Sequence, residues 1–162
     1  MSTTPAAPDA AGAHPAGPFQ TRAGAYALIV DGGRVLLSSW QGPEFLQWTL
    51  PGGGIDHGEA PVDTVVRELG EECGLAGEVT GLLTVVDHHF TGTAPNGREE
   101  DFHAIGIVYA ATVADGEPHV VETDGTTDAA AWVPLTDIES GAVPTYGLVR
   151  AALEAAGVTV TR

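Results

Sequence analysis

The sequence predicts an α/β sandwich. Short apolar runs separated by glycine-rich turns read as strands, and they are interspersed with two or three segments of helical period. The chain has 162 residues, 43% of them apolar, which suits one domain with a sizeable core. Residues 1–18 contain six Ala, four Pro and two Gly, so they read as a flexible leader, with the folded domain over 19–162.

The elements follow in order. Ala25–Val30 and Val35–Leu37 flank Asp31-Gly32-Gly33, the pattern of a β-hairpin. Gln47–Leu50 is a short strand stopped by Pro51-Gly52-Gly53-Gly54. Pro61–Cys73 is a helix, with Pro61 in its first turn and Gly74 at its C-terminal stop. Val79–Phe90 and Asp101–Val113 are long strands joined by a loop marked by Thr91-Gly92 and Asn96-Gly97. Ala129–Val133 is a strand ended by Pro134, and Leu135–Ser140 a short helix. Tyr146–Ala156 is a last helix, since Val149, Ala152, Leu153 and Ala156 recur at helical spacing.

Charge excludes several functions. There are 22 Asp+Glu against 6 Lys+Arg, for a formal net charge of −16, and all six cations are arginines. Without lysine there is no Schiff base and no P-loop lysine. Six scattered arginines make no basic patch for nucleic acid or an anionic membrane. The single Cys73 excludes an internal disulfide and a multi-cysteine zinc site, and fits a reducing cytoplasm. No basic–apolar secretory signal or membrane-length apolar run is present.

The acids are not evenly spread: Asp56, Glu59, Asp63, Glu68, Glu71 and Glu72 fall within 17 residues that include only one cation, Arg67. On a helix, Glu68, Glu71 and Glu72 share an arc of about 100°. Val62, Val65, Val66, Leu69 and Cys73 form a separate apolar stripe able to face a core. Arg67 is the i,i+4 partner of Glu71. Three like charges on one face are unfavourable unless a positive group offsets them. A hard divalent cation such as Mg²⁺ or Mn²⁺ does so with carboxylate ligands, whereas a plain solvated acidic face needs no ligand.

Gly53, five residues, Glu59, seven residues, then Arg67-Glu68-Leu69-Gly70-Glu71-Glu72-Cys73-Gly74-Leu75 resembles, at every defined position, the 23-residue signature of the Nudix hydrolases, G-x5-E-x7-R-E-U-x-E-E-x-G-U with U aliphatic. Trp48–Gly54 is similar to the family's lead-in, and Ala129–Ile138 to its closing strand. The resemblance implies an α/β/α sandwich with a mixed sheet and a catalytic loop–helix–loop. By the same resemblance, Glu68, Glu71 and Glu72 would be the metal-binding carboxylates, and Glu59 and Arg67 would brace the loop against the helix. Gly53 and Gly54 would allow close approach of backbone to phosphate.

The implied reaction is Mg²⁺-dependent hydrolysis of a diphosphate joining a nucleoside diphosphate to another group, with Mn²⁺ a possible substitute. The metal offsets substrate charge and activates a water, and a carboxylate takes the proton. That acid would be a glutamate of the signature or one from a later loop: Glu122, Asp124 or Asp128. The alternative for the loop is a solvated acidic turn at Gly125. The resemblance also implies a small-molecule substrate and possible homodimerisation, while the single cysteine and the lack of a secretory signal point to a cytoplasmic setting. A nucleotide-binding sensor without turnover is the alternative function. The position where ADP-ribose-hydrolysing members carry a proline is Phe90 here, so the substrate stays open.

Of the remaining residues, His88, His89 and His103 do not suit zinc, because adjacent strand residues point to opposite faces and no fourth ligand is evident. A strand-face or substrate-contact role remains for them. Phe90, Phe102, Tyr109, Trp40 and Trp48 read as core, with base stacking as the alternative. Arg98, within Arg98-Glu99-Glu100-Asp101, pairs with its neighbours or reaches a phosphate. Cys73 reads as a packed residue and not a nucleophile.

Overall fold

A computed structural model describes residues 19–41, 46–93 and 97–159. The leader assigned to 1–18 and the side chain of Trp40 lie outside the described residues. In chain order the elements are β1 (Phe19–Leu28), β2 (Val30–Asp31), β3 (Arg34–Gln41), β4 (Leu46–Thr49), β5 (Gly52–Gly54), α1 (Pro61–Cys73), β6 (Gly77–Thr93), β7 (Glu99–Val113), β8 (Thr127–Pro134), α2 (Leu135–Glu139) and α3 (Gly147–Ala155).

Two four-stranded sheets form the middle of the sandwich. The first runs β5-β1-β7-β6, and it is mixed because β1 and β7 are parallel while the other pairs are antiparallel. The second is antiparallel and centred on β3, which pairs with β2, β4 and β8. The hairpin expected at Asp31-Gly32-Gly33 forms, but only β2 belongs to it. The preceding Ala25–Leu28 lies in the other sheet, in register with Ile107–Ala110. Ile29 makes the crossing, its carbonyl accepting from Leu36 N–H at 3.0 Å. One apolar run thus serves both sheets, a division that local periodicity does not reveal.

Gly52–Gly54, expected only as a stop, pairs with Tyr26–Gly24 as β5. Three glycines carry no strand preference of their own, so only the β1 edge makes them a strand. The helix α1 has the expected bounds. It starts with Pro61 at its first position and ends with Gly74 at φ 64°, whose N–H reaches Gly70 O at 3.1 Å, while Leu75 N–H reaches Leu69 O at 3.2 Å.

Each side of the sheets has its own core. On the α1 side, Val65, Leu69, Cys73 and Leu75 pack with Ala25, Ala27, Ile29, Leu36 and Ala111. On the other side, Val149, Ala152 and Leu153 of α3 and Ile138 of α2 pack with Leu28, Val35, Leu37, Leu50, Val108 and Val133. The expected apolar stripe of α1 is narrower than its sequence suggests. Val65, Leu69 and Cys73 are buried, but Val62 and Val66 are 39% and 45% exposed. The small residues Ala25 and Ala27 draw the helix close to β1 along one line, and the flank of the stripe is left in solvent.

This division of α1 is checkable. Leu69, 1% exposed, is expected to cost about 2–5 kcal/mol on substitution by Ala. Val66→Ala should stay within about 0.5 kcal/mol. Urea midpoints at unchanged m-value measure both, and equal losses would place Val66 in the core.

Candidate active site

The acidic helix meets the glycine strand at one end of the first sheet. Glu72, on the last turn of α1, is only 8% exposed. Its Oε2 accepts the Gly52 N–H at 2.9 Å and its Oε1 the Thr127 hydroxyl at 2.5 Å. The buried Ser38 hydroxyl lies beside it without forming a well-aligned hydrogen bond. Burial raises the Glu72 carboxyl above the usual range, against the lowering effect of these donors, and the charge of Glu122 adds to the rise.

Glu68, one turn earlier, lies against Gly53: a Cβ there would stand 2.4 Å from Glu68 Oε1, so only glycine permits the approach. Burial, then Glu72 and more weakly Glu71, push the Glu68 carboxyl up to about 7 against the lowering effect of Arg67. Glu71 is the more exposed of the three, and its side chain turns toward Arg67.

Arg67 ties these parts together. Its Nε donates to Glu59 Oε1 at 2.9 Å and its Nη2 to Glu59 Oε2 at 3.1 Å, a two-point pairing. Its Nη1 reaches Glu68 Oε1 and Glu71 Oε2, each at 3.0 Å, and Nη2 also reaches the Gly54 carbonyl at 3.3 Å. Glu59 accepts in addition the Thr64 hydroxyl at 2.7 Å and the Asp56 N–H at 3.1 Å. With so many donors, Arg67 foremost, its carboxyl is held down at about 2. The same partners hold the guanidinium firmly protonated. The loop 55–60 is thereby clamped to the helix.

The later acidic loop reaches the site at its first residue. Val121 and Glu122 N–H groups donate to the Glu71 carbonyl at 2.9 and 3.1 Å, and the Glu122 side chain folds over Gly125. Asp124 and Asp128 are exposed. Cys73 is fully buried, and burial together with Glu72 pushes its thiol up to about 12, so it is inert at neutral pH.

The histidines divide as their alternation requires. His89 pairs with Asp101 at 2.7 Å and His103 with Asp87 at 3.0 Å on one face, while His88 stacks on Phe90 on the other. Among the described residues no three His, Cys, Asp or Glu side chains converge as a ready-made ion site; Glu68 and Glu71 share Arg67 Nη1, while Glu72 is held by the Gly52 N–H and Thr127. Three contributors escaped sequence reasoning. Thr127 and Ser38 come from distant strands with no local signal. Tyr26 stands in an apolar run with no signal of its own, yet its hydroxyl lies within the field of Glu72 and Glu68 and is raised mainly by burial and then by both.

The clamp has a pH signature. The Glu59 carboxyl is depressed in the folded state, so its contribution to stability is present above about pH 4.5 and is lost as pH falls through about 2. Glu59→Gln should therefore melt below wild type at pH 6, with the gap closing between about pH 4.5 and 2. Thermal melts of both proteins across that window test it, and equal melting at pH 6 would remove the clamp.

Comparison with known proteins agrees with this geometry. The family model described as the NUDIX domain matches residues 18–152. A MutT NUDIX hydrolase from Burkholderia pseudomallei of known structure is 41% identical, covering 84% of this chain and 98% of its own, with TM-score 0.65. A NUDIX hydrolase from Nitrosomonas europaea shares the fold at TM-score 0.67 and 21% identity, over 88% of this chain and 92% of its own. Among curated proteins, a putative ADP-ribose pyrophosphatase of Bacillus subtilis is 36% identical over 87 residues, 54% of this chain and 38% of that protein. The putative mutator protein MutT4 of Mycobacterium tuberculosis is 30% identical over 95 residues, 59% of this chain and 36% of that protein. The chain thus matches less than half the length of these two curated relatives. With its signature intact from Gly53 to Leu75 and its fold shared throughout, the chain belongs to the NUDIX domain family.

Proposed function

We propose that the protein hydrolyses a diphosphate linkage in a nucleoside diphosphate joined to another group, with a divalent cation, Mg²⁺ by preference, at Glu68, Glu71 and Glu72. The observation that carries this reading is the setting of Glu72 against Gly52 and of Glu68 against Gly53, with Glu71 on the same helix and sharing Arg67 with Glu68. Burial first, and like charge after it, disfavour the ionised forms of both Glu68 and Glu72, and a cation beside them would favour those forms again. The donor set is oxygen only, which suits a hard cation. The buried Ser38 hydroxyl, without a hydrogen-bond partner, fits a role toward a metal-bound water. The relatives named as hydrolases and pyrophosphatases point the same way.

A bound cation would supply charge neutralisation on the phosphates and acidify a water for attack on phosphorus. The protein's own part is orientation. Arg67 and Glu59 hold the loop, Thr127 and Gly52 N–H aim Glu72, and Gly53 and Gly54 would bring backbone close to phosphate, with open space at Gly54 and Glu68 packed against Gly53. Glu122, anchored through its N–H on the Glu71 carbonyl, takes the proton from the attacking water. Among the described residues no helix is long and apolar enough to cross a membrane.

Two variants test the assignment in a Mg²⁺ screen over nucleoside diphosphate derivatives, with released phosphate measured after phosphatase treatment. Glu72→Gln should abolish metal-dependent turnover while the fold survives, and near-wild-type hydrolysis would sink the site. Glu122→Gln should lower kcat by about 10²–10⁴-fold. An unchanged kcat would move the base to a glutamate of α1. Excess chelator should remove both activity and nucleotide binding, and tight binding without metal would favour a sensor over an enzyme.

A further inference from the structure

The first sheet has two edge strands. One is β5, beside the candidate active site. The other is β6, which pairs with β7 alone among the described residues. β6 runs from Gly77 to Thr93, so a long row of backbone N–H and C=O groups faces outward with no strand beside it. Soluble proteins commonly guard such an edge with lysine, proline or charge. Here Val79–Val86 contains no charged residue and no proline, in a chain with 22 acids. Val, Leu and Thr make up all of it but one glycine, a composition suited to strand pairing. Leu82 is 62% exposed and Val85 57%.

The register with β7 shows which of these residues share a face. Val79 and Tyr109 pack into the α1-side core, Leu83 and Val108 into the other. Leu82 is the partner of Tyr109 and Val85 of Ile107, so both stand on the α1 side. Glu78, Gly81, Thr84, Val86 and His88 are the partners of Thr112, Ala110, Val108, Gly106 and Ala104, so they stand on the opposite side. The ladder is offset between Val79 and Gly81 and again between Leu82 and Thr84. Counted along β7, Leu82 and Val85 lie one step to either side of Thr84, Gly81 and Val86 two steps, and Glu78 and His88 four.

The edge is therefore complementary to itself. A two-fold axis through Thr84, perpendicular to the sheet, sets a second β6 antiparallel to the first and keeps each side chain on its own face. Leu82 then meets Val85 of the second copy, and Gly81 meets Val86. Glu78 meets His88, carboxylate to imidazole, and Thr84 meets Thr84. Apolar, threonine–threonine and acid–base cross-strand pairs of this kind are favourable. A regular strand from another protein would meet the two offsets out of step. A second copy brings the same offsets at the same residues.

We propose that the free edge of β6 is where a second copy of this chain docks, joining two four-stranded sheets into one of eight strands. β5 lies at the far edge of each sheet, so both candidate active sites stay open. From Glu78 to His88 the paired edge is roughly 26 Å long at about 3.3 Å per step. With a sheet layer about 10 Å thick, it covers on the order of 300 Å² per copy, against about 800 Å² in a standard interface. The net charge of −16 on each copy also opposes association. The dimer is accordingly weak, in the micromolar range, and tightens as salt screens that charge.

Sedimentation velocity of the full chain from about 5 to 500 μM, at low and high salt, tests it. Wild type should pass from 16.6 kDa to twice that mass and stop there, since a two-fold contact closes. Leu82→Lys and Val85→Lys charge exposed positions. Each should raise the dissociation constant about tenfold or more, with the melting temperature of the dilute monomer unchanged. Thr84→Cys reads the register. Opposed Cα atoms of an antiparallel pair stand about 4.5–5.5 Å apart, within disulfide reach, so oxidation should link two chains, whereas Glu78→Cys, far from the axis, should not link. Cys73 is buried and does not compete. The exchange of Glu78→His with His88→Glu should restore association that His88→Glu alone weakens. Wild type that stays monomeric at the highest concentration overturns the proposal and leaves the edge to a strand of another protein. Growth past two copies, or a dimer that survives both lysine variants, overturns it as well. Equal linking at Glu78→Cys and Thr84→Cys, or no restoration by the exchange, overturns the two-fold register.

Discussion

The guanidinium of Arg67 is the contact on which the end of this molecule depends. It spans a loop carboxylate, two helix carboxylates and a strand carbonyl at once, and so fixes loop 55–60, α1 and β5 relative to each other. No other described cation reaches this cluster, so its loss would leave Glu59 and Glu68 partly buried without a counter-charge. Removing one partner of such a pair costs more than the pair itself contributes, because the orphaned charge still bears its desolvation. The interaction is best understood as positioning: it sets where the carboxylates of α1 stand.

Those carboxylates are held under tension. Glu59 is depressed by its donors, while Glu68 and Glu72 are raised by burial and by their neighbours. Two acids on one helix and one on its loop therefore differ widely in affinity for protons within a few ångströms. The difference follows from burial, which raises Glu68 and Glu72, and from the donors that lower Glu59. Glu59 accepts from Arg67, Thr64 and Asp56, whereas Glu68 accepts from Arg67 alone, against Gly53 and two like charges. A cation would complete this arrangement in a way no side chain of a lysine-free sequence can.

The first sheet serves two purposes on its two faces. Toward α1 it offers Ala25 and Ala27, small enough to let the helix sit close. On the opposite face Gly24 and Gly106 lie under the Tyr26 ring, beside the stacked rings of His88, Phe90 and Phe102. Because β1 contributes to both faces by alternation, and its register with β5 and β7 is regular, the two are locked in phase. A one-residue slip would exchange them.

Much of this was legible in the residues. The bounds of α1, the carboxylate arc and the packing of Cys73 follow from spacing, because they are local to one helix, while Arg67 with Glu59 followed from the resemblance of that segment to the family signature. What local pattern could not supply lies between elements. The parallel pairing of β1 with β7, the conversion of Gly52–Gly54 into a strand, and the approach of Thr127 and Ser38 to Glu72 each join residues far apart in sequence. Val62 and Val66 fit an apolar stripe by angle, yet only the partner surface decides how wide a stripe is buried. Likewise Phe90 and Phe102 read as core one at a time. Only the tertiary structure shows that, of this cross-strand stacked pair, Phe102 is buried and Phe90 is exposed. Sequence determined the chemistry available, since residue type and helical spacing are local. Tertiary structure decided which groups share an environment, since burial and register are set by contacts that no single segment contains.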